Sequence, residues 1–306
     1  IASGWFLNEQ VKVMFNNGDG TFKDVTETST LKGITGGLDM KCADYNNDGW
    51  MDILIPRGAW WNDFGKLPAS LIRNNGDGTF TDVTYETGLM EHLYPTQASV
   101  FADFNNDGWL DIYFGNETRR DTEKYPCELF LSDGKGKFKN VAKEAGADIL
   151  CFAKGVAASD YNNDGYMDIC ISSQGTENFL LRNDTGKNGG KIKFTDVTKE
   201  AGVGLPIKSF PVAFLDFNND GWQDLTIQTY DAENCDYDNA AEYFNKPVKG
   251  EYSILYKNNG DGTFTDITKE MNMQVAMTVM GLSFGDLDND GWMDIYSGTG
   301  TPNYTS

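Results

Sequence analysis

A nine-residue acidic string occurs five times in this 306-residue chain. It reads DYNNDGWMD at Asp44–Asp52, DFNNDGWLD at Asp103–Asp111, DYNNDGYMD at Asp160–Asp168, DFNNDGWQD at Asp216–Asp224 and DLDNDGWMD at Asp286–Asp294. Successive copies start 59, 57, 56 and 70 residues apart. A period of that length marks a repeated supersecondary unit, and so disfavours any fold whose parts are not copies of one another. A second string alternates with the first: NNGDGTFKDVT from Asn16, NNGDGTFTDVT from Asn74 and NNGDGTFTDIT from Asn258, with degraded copies from Ser132 and Asn183. Its Gly-Asp-Gly core is a tight turn that needs positive φ, between flanks suited to strands.

Each period reads as four strands. An apolar stretch such as QASVFA leads into the acidic loop, and a second strand such as LDIYF leaves it. A loop of variable length follows. A third strand such as ELFLS then meets the Gly-Asp-Gly turn, and TFTDVT is the fourth. Short strands separated by turn signals predict an all-β fold, and repeated four-stranded units predict the blades of a β-propeller. The KEAG segments at Lys143–Gly146 and Lys199–Gly202 are one helical turn at most. The expected organisation is one propeller domain over 1–306, with repeats at 44–97, 98–155, 156–210 and 211–280 and partial repeats at 1–43 and 281–306. The chain begins on a third and fourth strand (Val11–Phe15, Thr21–Thr26) and ends after a first and second (Gly281–Asp286, Met293–Ser297). Either these ends complete one blade of a five-bladed ring, or the chain is part of a six- or seven-bladed one. Starting at Ile1 with no signal peptide, it reads as a processed chain or a fragment.

The acidic loop carries the chemistry. Positions 1, 3 and 5 place oxygen side chains on one concave side, glycine at position 6 allows a sharp turn, position 7 offers a backbone carbonyl and position 9 a carboxylate. Hard oxygen donors in that number suit Ca²⁺ better than Zn²⁺ or Mg²⁺. The candidate ligands are Asp44, Asn46, Asp48, Trp50 and Asp52 in loop 1, and Asp103, Asn105, Asp107, Trp109 and Asp111 in loop 2. Loop 3 offers Asp160, Asn162, Asp164, Tyr166 and Asp168, and loop 4 offers Asp216, Asn218, Asp220, Trp222 and Asp224. Loop 5 offers Asp286, Asp288, Asp290, Trp292 and Asp294. The string begins like an EF-hand loop, but that loop needs Glu at position 12. Here position 12 is Ile55, Phe114, Ile171, Ile227 or Ser297, so the loop joins two strands rather than two helices. Crowded carboxylates repel one another, which makes an empty loop unstable.

With 25 basic and 46 acidic residues the formal charge is −21. That argues against nucleic acid and anionic lipid surfaces as partners. Sixteen of the acidic residues sit in the five loops, and five Ca²⁺ would bring −21 to −11. Aromatic residues make up 13% of the chain, enough for a packed core. No apolar run reaches the roughly 18 residues of a membrane span.

These strings resemble the FG-GAP/VCBS repeat proteins, the calcium-loop β-propellers that include integrin α-chain heads. Nearest in kind are the bacterial and animal VCBS proteins often joined to an ASPIC/UnbV domain. The resemblance covers nearly the whole chain. It implies up to five Ca²⁺, bound at positions 1, 3, 5 and 9 and the position-7 carbonyl of each loop, and an extracellular, cell-surface or periplasmic location. Family propellers often have seven blades, whereas five repeats are present here, and no ASPIC/UnbV segment is visible.

Other residues have plainer readings. The position-7 aromatic is expected to pack between neighbouring blades. Trp60 and Trp61, adjacent in a variable loop, either pack or bind a sugar or protein. The variable loops Arg57–Ala69, Asn116–Pro126 and Tyr230–Glu251 lie at the strand ends opposite the acidic loops, where repeat scaffolds carry function. His92, the single histidine, reads as an exposed bystander. Asn116, Asn183 and Asn303 begin sequons that permit glycosylation. Cys42 and Cys170 are expected in the core, Cys127, Cys151 and Cys235 in loops or connectors, with a Cys127–Cys151 bridge as the expected pairing.

The resulting expectation is a secreted calcium-binding propeller that acts as an interaction, adhesion or structural module. Its partner would be a protein or glycan on the variable face, or copies of itself. The alternative is a polysaccharide lyase or hydrolase using Asp231, Glu233, Asp236, Asp238 and Glu242, with Trp60 and Trp61 as a sugar platform.

Overall fold

The computed structural model describes residues 8–300 except Thr122 and Asn245, and excepting the side chains of Cys235, Asp236, Asn239 and Glu242. The chain divides into two compact units, Ile1–Leu150 and Cys151–Ser306.

The first unit opens with a hairpin of β1 (Met14–Asn16) and β2 (Phe22–Asp24). An antiparallel sheet follows in the order β3 (Lys41–Ala43), β4 (Asp52–Ile55), β5 (Ser70–Asn74) and β6 (Phe80–Asp82). The next sheet repeats it with β7 (Thr96–Ala102), β8 (Asp111–Asn116), β9 (Glu128–Ser132) and β10 (Phe138–Asn140). The second strand of each sheet is buried along its whole length, and so reads as an unbroken apolar run rather than an alternation. One core packs Leu54, Leu71 and Val83 of one sheet against Ile112, Phe114 and Phe130 of the next. Another joins Val11, Val13 and Leu31 to Ile53, Ile55 and Ile72.

The second unit holds β11 (Ala153–Ser159), β12 (Asp168–Ser173), β13 (Phe179–Asn183) and β14 (Phe194–Asp196), then β15 (Ser209–Leu215), β16 (Asp224–Thr229), β17 (Ile254–Asn258) and β18 (Phe264–Asp266). It closes with the pair β19 (Val279–Gly285) and β20 (Asp294–Thr299). Cys170, Leu180 and Val197 pack against Phe214, Leu225, Ile227 and Tyr256. The expected all-β architecture of four-stranded sheets is therefore the observed one, with each acidic loop joining the first two strands of its sheet.

Single helical turns follow three of the fourth strands: α1 (Thr84–Thr87), α2 (Ala142–Ala145) and α3 (Thr198–Ala201). A nine-residue helix, α4 (Cys235–Tyr243), occupies the acidic variable loop, where no helix was expected. The DVT motif has a hydrogen-bonding reason. The carboxylate of Asp82, Asp196 or Asp266 accepts from the N–H and hydroxyl of the threonine two residues on. That hydroxyl in turn accepts the third-strand N–H of Leu71, Leu180 or Leu255.

Several expectations change. Cys170 is buried, but Cys42 is exposed: β3 is short and its pleat turns that residue outward. Cys127 and Cys151 are both buried. Asn116 and Asn183 are buried and hydrogen-bonded within their sheets, so their sequons are closed to glycan transfer as folded. The Cys235 side chain and Asn303 lie outside the described residues. His92 is exposed, as expected, but is no bystander: its Nδ1 lies 2.8 Å from Glu128 Oε1, and its ring stacks on Tyr94. Glu128 is buried and also accepts from Asn116 and Asn140. Among the described residues no helix is long and apolar enough to cross a membrane.

Candidate metal centres

The five loops share one hydrogen-bond pattern. The position-1 carboxylate accepts the N–H of position 5 through Oδ1 and that of the position-6 glycine through Oδ2, at 2.8–3.1 Å in every loop. The position-3 oxygen accepts the same position-5 N–H, and the position-5 carboxylate accepts the N–H of position 7. The position-6 glycines sit at φ between +84° and +90°, conformations that L side chains rarely adopt. Positions 1, 3 and 5 are thus turned to one side by the backbone itself.

Position 9 begins the second strand and is held from two directions. Oδ1 of Asp52, Asp111, Asp168 and Asp224 accepts a third-strand N–H at 2.7–2.8 Å. Oδ2 of Asp111, Asp168, Asp224 and Asp294 accepts the N–H of position 2. The corresponding Oδ2 of Asp52 is buried with no hydrogen-bond partner. Burial raises the pKa of these carboxyls, their backbone hydrogen bonds oppose it, and the position-5 and position-1 carboxylates push the same way as burial. The outcome is about 6 for Asp52, 7 for Asp111, 8 for Asp168 and 6 for Asp224.

In loop 5 one oxygen each from Asp286, Asp288 and Asp294 lies within 4.8 Å of the other two. An all-oxygen set at that spacing fits a hard divalent cation. In loops 1–4 asparagine replaces the position-3 carboxylate, and its Nδ2 donates to the position-5 carboxylate in loops 1, 2 and 4, at 2.9–3.0 Å. Lysines approach position 5 in two loops: Lys187 at 3.8 Å from Asp164 and Lys257 at 3.9 Å from Asp220.

In loops 1–4 the aromatic at position 7 reaches the turn between the third and fourth strands of its own sheet. Trp50, Trp109, Tyr166 and Trp222 each lie over the turn of their own sheet, where a Cβ on Gly76, Gly134, Gly186 or Gly260 would fall 2.5–3.1 Å from the ring. Position 2 joins neighbouring sheets. Tyr45 packs 5.9 Å from Phe138 of the next sheet, and Tyr161 packs 5.6 Å from Phe264. Both are buried, as is Phe104. An aromatic at position 2 in four of the five strings was the available signal.

The variable loops differ in kind. Trp60 is half-buried at φ +69°, its N–H on Glu117 and its ring facing the Arg119 guanidinium, whereas Trp61 and Phe64 are exposed. Asp231 is buried and tied to Lys208 at 2.7 Å, and Glu233 shares that ammonium at 2.8 Å. Burial acts to raise the Asp231 pKa, but the hydrogen bonds from Lys208 and Asn234 outweigh it and hold the carboxyl below its ordinary value. A glycosidase acid needs the opposite shift. Asp238 accepts the N–H groups of Lys249 and Gly250 and so anchors its loop. The side chains of Asp236 and Glu242 lie outside the described residues.

The FG-GAP-like repeat family matches residues 3–55, 59–114, 160–227 and 248–297. The chain is 25% identical over 286 residues to cartilage acidic protein 1 of Homo sapiens, covering 88% of this chain and 39% of that protein. The Mus musculus protein matches at 25% over 287 residues, covering 89% and 40%. The Xenopus tropicalis protein matches at 30% over 146 residues, covering 47% and 20%. The chain thus spans 20–40% of the length of these relatives. Among solved structures, an Agrocybe aegerita lectin that recognises non-reducing terminal N-acetylglucosamine aligns with a TM-score of 0.50 at 19% identity, covering 94% of this chain and 68% of that one. The likeness is one of fold, and the four-stranded sheets are blades of the β-propeller class.

Proposed function

Because the chain belongs to the FG-GAP-like repeat family, we propose that its five acidic loops hold Ca²⁺ and that the loaded propeller serves as an extracellular interaction module. The observation that carries the calcium reading is the convergence of oxygen donors at loop 5, where three carboxylates gather within 4.8 Å. The same backbone scaffold recurs in loops 1–4. In each loop positions 1, 3, 5 and 9 and the position-7 carbonyl would hold the ion. Its charge would offset the repulsion among carboxylates and stabilise the sheet that the loop begins.

Terbium, which takes calcium sites, tests this directly, because tryptophan sits at position 7 in loops 1, 2, 4 and 5 and can sensitise its emission. Emission displaced by Ca²⁺ is expected, with affinity on the order of 0.1–1 mM or tighter. Asp103→Asn, Asp216→Asn and Asp286→Asn should each remove one calorimetric Ca²⁺ site. A chain that takes up no Ca²⁺ at millimolar concentration would overturn the reading.

The extracellular assignment rests on kinship with cartilage acidic protein 1. The module assignment rests on the variable loops, which present Trp61 and Phe64 in one unit and Tyr237, Tyr243 and Phe244 in the other. Such aromatics suit a glycan or protein partner. A glycan array probed with the calcium-loaded chain, beside light scattering for association of copies, separates these partner classes.

A further inference from the structure

Position 4 of the acidic loop is asparagine in all five copies. It sits in the left-handed region, with φ between 55° and 61°, between the donors at positions 3 and 5. Glycine would take that conformation at least as readily, so the amide needs a reason. Asn47 Nδ2 donates to the Gly108 carbonyl of the next loop at 3.3 Å. Asn163 donates to Gly221 at 3.2 Å, and Asn219 to Gly291 at 2.9 Å. Each acceptor is the position-6 glycine of its loop. The N–H of that glycine already donates to the position-1 carboxylate, at 2.8, 2.9 and 3.0 Å in the three cases. The glycine is therefore held at both its N–H and its C=O. Its C=O fixes the plane of the peptide leading into position 7, whose own carbonyl is the backbone donor.

We infer that this asparagine couples neighbouring calcium loops, so that filling one loop raises the affinity of the next. The inference rests on the calcium reading of the loops. An ion on positions 3 and 5 immobilises position 4 between them. The ordered amide then holds the glycine peptide of the following loop, and part of the ordering cost of that loop is met before its own ion arrives. Linkage makes the effect reciprocal: an ion in the following loop tightens the preceding one by the same factor.

Loop 4 carries Trp222 at position 7, so terbium bound there can be read by sensitised emission. Terbium emission excited at the red edge of tryptophan absorption, taken with and without Asp216→Asn in each background, isolates the loop 4 component by difference. Disabling loop 3 with Asp160→Asn should raise the half-loading concentration of loop 4 by about two- to tenfold, the range spanned by one net hydrogen bond. Asn163→Gly keeps the backbone conformation, removes the amide and should produce the same rise. The two together should give no more than either alone. Asn219→Gly with Asp216→Asn, read through Trp292 in loop 5, repeats the test at the next pair and stands in if the first set fails to fold. Additive shifts, or a loop 4 curve unmoved by Asn163→Gly, would overturn the coupling while leaving calcium binding intact. Loss of all calcium-displaceable emission in the unsubstituted chain would instead defeat the calcium reading.

Discussion

A single side chain in the acidic loop has a role set by its position number rather than its type. Aromatic residues at positions 2 and 7 look alike in the sequence, yet Tyr161 is buried against Phe264 of the next sheet while Trp222 lies over Gly260 of its own. Tyr161→Ala should therefore cost about 3–5 kcal/mol, as loss of a large buried aromatic does. Trp222→Ala removes a half-buried ring from a surface turn and should cost about 1 kcal/mol. Urea unfolding of the two variants gives the ranking, and equal losses would show that both positions join the sheets. Asparagine at position 4 was visible in every copy, but its purpose was not, because its acceptor lies 61, 58 or 72 residues away.

At the level of the element, the segments on either side of the fourth strand are where side chains finish what the ladder leaves open. Thr198 Oγ1 accepts the Leu180 N–H at 2.9 Å in a buried site. Thr198→Val keeps the shape and leaves that N–H without an acceptor, which should cost about 1–3 kcal/mol in urea unfolding. The longer turn after β13 carries its own clamp. Arg182 meets Asp184 through Nε at 2.8 Å and through Nη2 at 3.1 Å, and Thr195 donates to the same carboxylate at 2.6 Å. The Arg182 hydrogen bonds chiefly hold the Asp184 pKa well below its usual value. A carboxyl lowered on folding contributes stability that is full above its unfolded pKa of about 4 and is lost as pH falls through the folded value. Asp184→Asn should thus cost about 1–2 kcal/mol at pH 7, a solvent-discounted figure. The gap to the unsubstituted chain should close as the pH is taken progressively below 4, and a constant gap would mean the pair contributes only packing.

For the whole molecule the governing quantity is a charge of −21, with sixteen of its 46 acidic groups in five loops. An ion that binds only the folded state stabilises it by about 2.7 kcal/mol at a hundredfold excess over Kd, and several sites add. Removing calcium with excess chelator should lower the melting temperature by on the order of 10 °C or more for a chain of this size. Restoring Ca²⁺ should recover it, and Mg²⁺ at equal ionic strength should not. A melt indifferent to chelation would sink the stabilising role.

The fold was legible in the sequence because a repeat states its unit several times over. Five acidic strings and the turns alternating with them placed every loop between its two strands, and the candidate ligands followed from oxygen donors at alternate positions. Local chemistry of that kind depends on neighbours within nine residues. What the sequence left open depended on contacts across the fold. The pairing of His92 with buried Glu128 spans 36 residues, and that of Lys208 with Asp231 spans 23. The closure of the Asn116 sequon follows from burial on both faces of β8. Which aromatic joins the sheets, and which amide reaches the next loop, were decided by tertiary structure. A periodic sequence gives every copy the same local instructions, and only the packing of one sheet on its neighbour distinguishes an inward-facing position from one that faces its own turn.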